Sequence, residues 1–326
     1  MRSGFWTALF AGVGAGLIAV GAIALHAQAA AGLAEAHAAL QSGEADKVLI
    51  LLNSLPASAE AHNLRCRVQL ILDHLDAATS ECQQAVSLGG ENSGYHLWLG
   101  RVLGERASRA SFMTAFGLAK QVRAELETSV RLDPRNADAL ADLGEFYKSA
   151  PGVLGGGEDK AEGVAAELDK VDQARAHQLR GWIAEGHKDY GTAERELKAA
   201  IGVDPHPALS WMSLASFYRR RERWTDLDAA VESGMKSAQH DRKAGVALYN
   251  GAMVLTKANR NLPLAAKMLG EYLSSDSKTE EAPAFVAHVR LARVLAQLGD
   301  KAGATQQRAA ALALAHDYKP ALELKF

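Results

Sequence analysis

The chain has 326 residues, 48% hydrophobic and 23% charged, with a formal net charge of -2. That balance belongs to a folded chain rather than a disordered one, and its slight acidity argues against a general nucleic-acid binder, which would be basic. Aromatic residues make up only 6%. Alanine is abundant, and it combines the best helix propensity with a side chain small enough for helices to pack closely. No alternating apolar run bounded by turn residues is present, so strands are not expected.

In chain order, the first predicted element is an export segment. Met1-Arg2 supplies a short positive start, Phe5 to Leu25 carries no charge, and Ala27-Gln28-Ala29 offers a small-x-small cleavage pattern. A run of about 20 apolar residues can also span a bilayer. Residues 1–29 therefore read either as a cleaved signal peptide or as a retained anchor helix. No Cys follows the run, which speaks against a lipoprotein anchor. Both readings keep Arg2 on the cytoplasmic side and the body outside it, in the periplasm of a Gram-negative source. Membrane contact is expected only through an uncleaved segment.

The remainder repeats itself. Leu132-Asp133-Pro134 and Val203-Asp204-Pro205 each close a helical stretch with an acidic start and Ala at helical spacing. A second helix with a small residue at its centre follows each, at Gly144 and Ala215. A helix pair of about 34 residues is the tetratricopeptide period. One pair cannot bury its apolar face alone, so pairs must stack. The expected fold is all-α, a right-handed α-solenoid of about eight such pairs. The pairs lie near residues 30–58, 59–92, 93–136, 137–171, 172–206, 207–241, 242–281 and 282–319. The tail 320–326 is too short for a repeat and is expected to cap the last helix.

Two units exceed the period. In the third, a stretch near Ala107 to Ala119 carries Phe112, Met113, Phe116 and Leu118. These side chains are expected to pack as an extra helix or turn over the fourth unit, leaving a docking edge. In the fourth, Pro151 ends a helix and Gly155-Gly156-Gly157 precedes the next, which opens on Glu158-Asp159.

The run Tyr95-His-Leu-Trp-Leu-Gly-Arg-Val-Leu-Gly-Glu-Arg-Ala, with Phe116-Gly-Leu-Ala-Lys and Leu132-Asp-Pro-Arg-Asn after it, is one half of a pattern. Phe146-Tyr-Lys-Ser-Ala-Pro-Gly-Val-Leu-Gly-Gly-Gly-Glu-Asp-Lys-Ala is the other. Together, over roughly residues 93 to 165, they resemble a group of exported bacterial tetratricopeptide proteins without a characterised activity. The resemblance implies a fold and an exported setting, and it implies no reaction.

The candidate chemistry is sparse. From Gly152 to Gly157 the spacing fits a phosphate loop, but Glu158 and Asp159 replace the required Lys-Ser/Thr and would repel a phosphate. The eleven histidines form no local metal-ligand spacing, and no nucleophile elbow appears. Neither a metal nor a cofactor is expected, and the protein reads as no enzyme. Cys66 and Cys82 fall where the two helices of the second unit face each other. They read either as a disulfide, which export would permit, or as two buried thiols.

Binding is expected on the concave wall, built by the first helix of each unit. The corresponding positions give Asn63, Arg67, Leu97, Arg101, Glu145, Lys148, Gln178, Trp182, Met212, Arg219, Arg220, His288 and Arg293. Arg67, Arg101, Lys148, Arg219 and Arg293 would form a row of like charge, with Trp182 and Met212 adding apolar contact near the middle. The expected function is a non-catalytic scaffold that holds a protein or peptide, acidic in character, on the cell-envelope side. The alternative is a solute-binding accessory with a small anionic ligand in the groove, favoured by a pocket closed around Arg101 and Lys148. A solvated groove without any ligand is the third reading.

Overall fold

The computed structural model describes residues 27–239, 241 and 244–326. All but residues 27–29 of the export segment lie outside them, and those three are helical. Among the described residues no helix is long and apolar enough to cross a membrane.

The described chain is helical throughout. Helix α1 occupies 27–42 and α2 Ala45–Asn53. Then follow α3 (Ala59–Ile71), α4 (Leu75–Leu88), α5 (Ser93–Arg109), α6 (Phe112–Leu132), α7 (Ala137–Ser149) and α8 (Glu158–Leu168). The second half contains α9 (Gln173–Gly186), α10 (Tyr190–Val203), α11 (Ala208–Arg220), α12 (Trp224–Gln239), α13 (Gly245–Lys257) and α14 (Leu262–Ser274). It ends with α15 (Ala284–Gln297), α16 (Lys301–Leu314) and the short α17 (Lys319–Leu322). Local chemistry sets many boundaries. The side chains of Ser58, Asn136, Asp172 and Asp189 accept bonds from first-turn amides of α3, α7, α9 and α10. Asp133 and Asp204, each followed by Pro, turn extended and stop α6 and α10.

Each odd-numbered helix from α3 to α15 packs antiparallel on the next even-numbered one. The second helices contribute Ala78, Ala85, Ala193, Ala200, Ala265, Ala304 and Ala311 to these contacts, all fully buried. Opposite them lie residues such as Gly181, where an added Cβ would come 3.0 Å from Leu197. Small residues at these points let the helices approach, which is why the alanine spacing was readable.

Consecutive first helices also touch directly, from α3 through α5, α7, α9 and α11 to α13. Consecutive second helices do not pack on one another to any comparable extent. The pairs therefore fan outward, and the first helices form the inner, concave wall. The inner row breaks between α13 and α15, where a longer connection intervenes: an added Cβ on Gly245 would strike the carbonyl oxygen of Ser277.

The stack closes on itself. Ala36, Leu40, Val48, Leu64 and Leu72 of the first two units share one buried cluster with Phe285, Val289, Ala315 and Tyr318 of the last. Phe285 meets Tyr318 edge-on at 4.8 Å between ring centroids. Full burial of side chains of this size stabilises by about 1.5–3 kcal/mol each, so the seam is a true core. Gly43 makes the approach possible: its φ is +73°, and a Cβ there would run into the backbone nitrogen of Ala284. The expected solenoid thus closes into a ring, because both end units carry apolar outer faces. The tail seals the last unit, with Arg308 donating to the carbonyls of Ala321 and Leu322 at 2.8 and 3.1 Å.

The insertion of the third unit forms no extra helix. It lengthens α5 and α6 into a hairpin that projects past its neighbours, with Phe112 81% and Met113 78% exposed at the tip. Phe116 and Leu118 are half-buried: Lys120 Nζ lies 4.7 Å from the Phe116 ring centroid, and Leu118 packs against the core of the first half. The expectation that these side chains pack over the fourth unit is corrected for Phe112 and Met113, since helix extension carries them beyond α7 and α8. The glycine-rich insertion is an ordered turn. Gly155 has φ +85°, Gly157 donates to the carbonyl of Tyr147 at 2.9 Å, and Arg123 of α6 donates to that of Leu154 at 3.1 Å. Cys66 and Cys82 are bonded, with Cα atoms 5.1 Å apart, and they tie α3 to α4.

Candidate functional site in the concave wall

The inner wall has two electrostatically different halves. In the first, the cations of the sequence-derived row already have partners. Arg67 of α3 grips Glu280 with two bonds, Nε to Oε2 at 2.9 Å and Nη2 to Oε1 at 2.6 Å. Arg101 of α5 donates from Nε to Asp142 of α7 at 2.6 Å. Arg175 of α9 pairs with Asp138 of α7. Asp138 and Asp142 both rise from α7, one helical turn apart, and so interleave acids among the arginines. The expected row of like charge is thus interrupted at Arg67 and Arg101, whose repulsion is offset by acids within the wall.

Glu281 adds a further acid. It faces solvent inside the ring, yet the surrounding walls desolvate it. That desolvation, with Asp138, raises its pKa above the usual carboxylate value, while Arg101 and Arg175 act the other way.

The second half is different. Glu145 and Lys148 of α7, Trp182 and Glu185 of α9 and Arg220 line an open cleft of 430 Å³. Ser213, Ser216 and Arg219 of α11, with Asn250, Met253 and Lys257 of α13, line a second of 280 Å³. Arg220 is bound by Glu185 at 2.7 Å. Lys148, Arg219 and Lys257 have no carboxylate within ion-pair distance among the described residues. Three first helices, α7, α11 and α13, therefore present free cations, with half-buried Trp182 of the intervening α9 and Met253 of α13 beside them.

The remaining predicted positions divide. Met212 is 1% exposed and packs mainly in the core, where a Cβ on Gly234 or Gly251 would collide with it, and it also forms part of the lining of the second cleft. Gln178 donates to Ser210 at 3.0 Å and borders a further hollow with Arg175 and His206. Arg293 is exposed on α15 and lines neither cleft. Arg101 does not line the cleft of Lys148, so among the described residues that cleft is not an anion pocket enclosed by the pair.

Two arrangements were not read from the sequence. One is a bond between the two helices of a unit, from His62 to Glu81 (2.6 Å), His177 to Glu196 (2.7 Å) and His288 to Gln307 (2.6 Å). Each spans 19 residues, and His96–Glu125 spans 29, the same contact lengthened by the insertion. That recurring separation was the available signal. The other lies at the seam, where ligand-type atoms of Asp46, His316 and Asp317 come within 4.8 Å of one another. His316 is bonded to Asp46 through Nδ1 and its backbone amide at 2.8 and 2.9 Å, and His74 Nε2 lies 3.7 Å from Asp317. These bonds account for the geometry as ion pairing across the closure.

No family model matches the chain, and no curated protein matches it. Among solved structures, it is similar to a tetratricopeptide repeat protein from Parabacteroides merdae (12% identity, TM-score 0.46, 79% of this chain and 98% of that one). It is also similar to Pseudomonas aeruginosa pilF (16% identity, TM-score 0.36, 71% of this chain and 95% of that one). A third likeness is to the Cut9–Hcn1 hetero-tetramer of the APC/C (12% identity, TM-score 0.39, 87% of this chain and 52% of that one). The superpositions are loose, and the solenoid architecture stands on the helix packing itself.

Proposed function

We propose that the protein is a non-catalytic scaffold whose inner wall, over α7 to α13, binds an acidic segment of a protein or peptide partner. The observation that carries this reading is the row of Lys148, Arg219 and Lys257, free of carboxylate partners and set beside Trp182 and Met253. Free cations in a concavity attract and steer anions, and adjacent apolar surface adds contact area. Stacked helix pairs provide extended concave binding surfaces as a class. The clefts are open and adjoin at Arg220, which lines both, and that suits an extended chain better than a small enclosed solute. Among the described residues lining the two clefts, no nucleophile, base and oxyanion donors accompany the cations as a set. The disulfide supports an oxidising, exported setting, which also fits the charge-free run of residues 5–25.

The test is fluorescence anisotropy with a fluorescein-labelled octaglutamate peptide. Binding should weaken steeply as salt rises through the range where the Debye length falls to about 8 Å. The K148E/R219E double substitution should reduce it about tenfold or more while the helical circular dichroism is retained. Binding indifferent to both salt and charge reversal would contradict the assignment.

A further inference from the structure

Nine residues separate Ser274 from Ala284, against four between Leu88 and Ser93 and four between Val203 and Ala208. This longer connection leaves the outer layer and enters the ring. Its shape is set from behind by Tyr272, which is fully buried. The Tyr272 hydroxyl donates to the Ala282 carbonyl at 2.5 Å and accepts from the Thr279 amide at 3.1 Å. In front, the loop presents Glu280 and Glu281 to the first half of the inner wall. Glu280 sits in the fork of Arg67, with the two side chains 13% and 12% exposed. Arg67 and Arg101 both lie over the ring of Trp98, at 5.0 and 4.8 Å from its centroid. Two guanidinium groups held by one indole, with one already gripping a carboxylate through two bonds, form a built receptor for acidic side chains.

We propose that the α14–α15 loop is an intramolecular ligand of this receptor: Glu280 and Glu281 stand where two neighbouring carboxylates of the acidic partner segment bind, and the loop withdraws when that segment arrives. The inference rests on the acidic-partner reading above and extends its footprint from α7–α13 to α3 and α5.

Three observations show that the loop is an imperfect occupant. Glu281 makes no hydrogen bond among the described residues and feels the charge of Asp138 as well as those of Arg101 and Arg175. With the loop in place, four carboxylates (Asp138, Asp142, Glu280, Glu281) meet three guanidinium groups (Arg67, Arg101, Arg175), so further acid is repelled. Finally, Thr279 Oγ1, beside Glu280, and Asn63 Nδ2, one turn from Arg67 on α3, are buried without partners. Buried polar atoms left unpaired are costly, and a ligand that satisfies them gains accordingly. An incoming carboxylate replaces Glu280 at Arg67, so the guanidinium is never left bare during the exchange.

The same octaglutamate probe tests the proposal on the full-length protein. E280Q/E281Q should bind it about tenfold more tightly than wild type, because the apparent affinity no longer carries the competition of a tethered rival. Adding R67Q to that variant should remove the gain. E281Q alone keeps the Arg67–Glu280 closure and should still raise affinity, by about threefold, which guards against a double variant that loosens the ring. Circular dichroism and small-angle scattering report whether the ring is intact. Equal affinity of wild type, E281Q and intact E280Q/E281Q would overturn the proposal. If that equality holds while K148E/R219E still abolishes binding, the loop is only a closing strut and the groove reading stands. If octaglutamate binds none of the proteins, both readings fall.

Discussion

Reduction of the Cys66–Cys82 bond should loosen the second unit selectively. The bond closes a loop of sequence separation 16, for which the chain-entropy relation gives about 3 kcal/mol at 25 °C. Both side chains are fully buried at the α3–α4 contact, so reduction alone, without substitution, isolates the crosslink from the packing. Repeat stability is approximately a sum of unit and nearest-neighbour contributions. The loss should therefore appear first in residues 59–88 rather than evenly along the chain. About 3 kcal/mol corresponds to roughly a hundredfold increase in local opening. Hydrogen–deuterium exchange by mass spectrometry, with and without a mild reductant, reads this directly. Amides of α3 and α4 should exchange about a hundredfold faster, those of α5 and α2 less so, and those of α9 to α12 unchanged. Equal exchange in α3 and α4 under both conditions would refute the reasoning, as would two titratable thiols in unreduced, denatured protein.

Other consequences follow from the same geometry. G43A places a Cβ at positive φ and against Ala284, and should cost about 2 kcal/mol or more while opening the ring, seen as an increased radius of gyration in small-angle scattering. F112S/M113S removes only exposed apolar surface, so the unfolding midpoint should shift by less than about 0.5 kcal/mol; a larger loss would mean that the hairpin tip is packed. His316 has its pKa raised by its bond to Asp46, and then by the charge of Asp46. The sign follows: this contact stabilises fully below the ordinary value of 6.5 and is lost as pH rises through the folded value. D46N should flatten that alkaline decline in the melting curve. His288 behaves oppositely, since burial lowers its pKa against its bond to Gln307; its contribution is present above 6.5 and is lost as pH falls through the folded value. Burial acts to raise the Glu194 carboxyl, but bonds from Arg223, Lys198 and Tyr218 outweigh it and hold it at about 2. E194Q should therefore remove an acid-side loss of stability that spans pH 4.5 down to about 2.

The helical stack was legible because its signals are local. The Asp-Pro stops after α6 and α10, and alanines such as Ala193 and Ala200, lie within one helix pair and report contacts made within it. Ring closure was not legible in that way. It depends on Gly43 meeting Ala284 and on Leu40 meeting Phe285, partners more than two hundred residues apart with no shared pattern. Apolar end units were a usable hint, since solenoids normally cap their ends with polar faces. The candidate site divides along the same line. Lys148, Trp182 and Arg219 were placed from repeat register, and each lines a cleft on the inner wall. Lys257, on the next first helix, was not among the positions read from the register. Arg67 and Arg101 were placed on the wall but credited with free charge. Their partners Glu280 and Asp142 come from another unit, 213 and 41 residues away, beyond the reach of any single-repeat reading. The loop bearing Glu280 lies within residues 242–281, a span that was not read as departing from the period. Phe112 and Met113 show the converse error. Apolar side chains were expected to find cover, but two lengthened helices carried them past every neighbour.

The central claim, that a partner lies along the inner wall, is tested most directly by site-specific photo-cross-linking in intact cells. Benzoylphenylalanine is introduced in turn at Ser216 in the cleft between α11 and α13, at Glu232 on the outer helix α12, and at Phe112 on the hairpin tip. A specific adduct from Ser216, absent at Glu232 and lost in the K148E/R219E background, is the predicted result. Adducts formed only from Phe112 or Glu232, with none from Ser216, would contradict the account and move the binding surface off the groove.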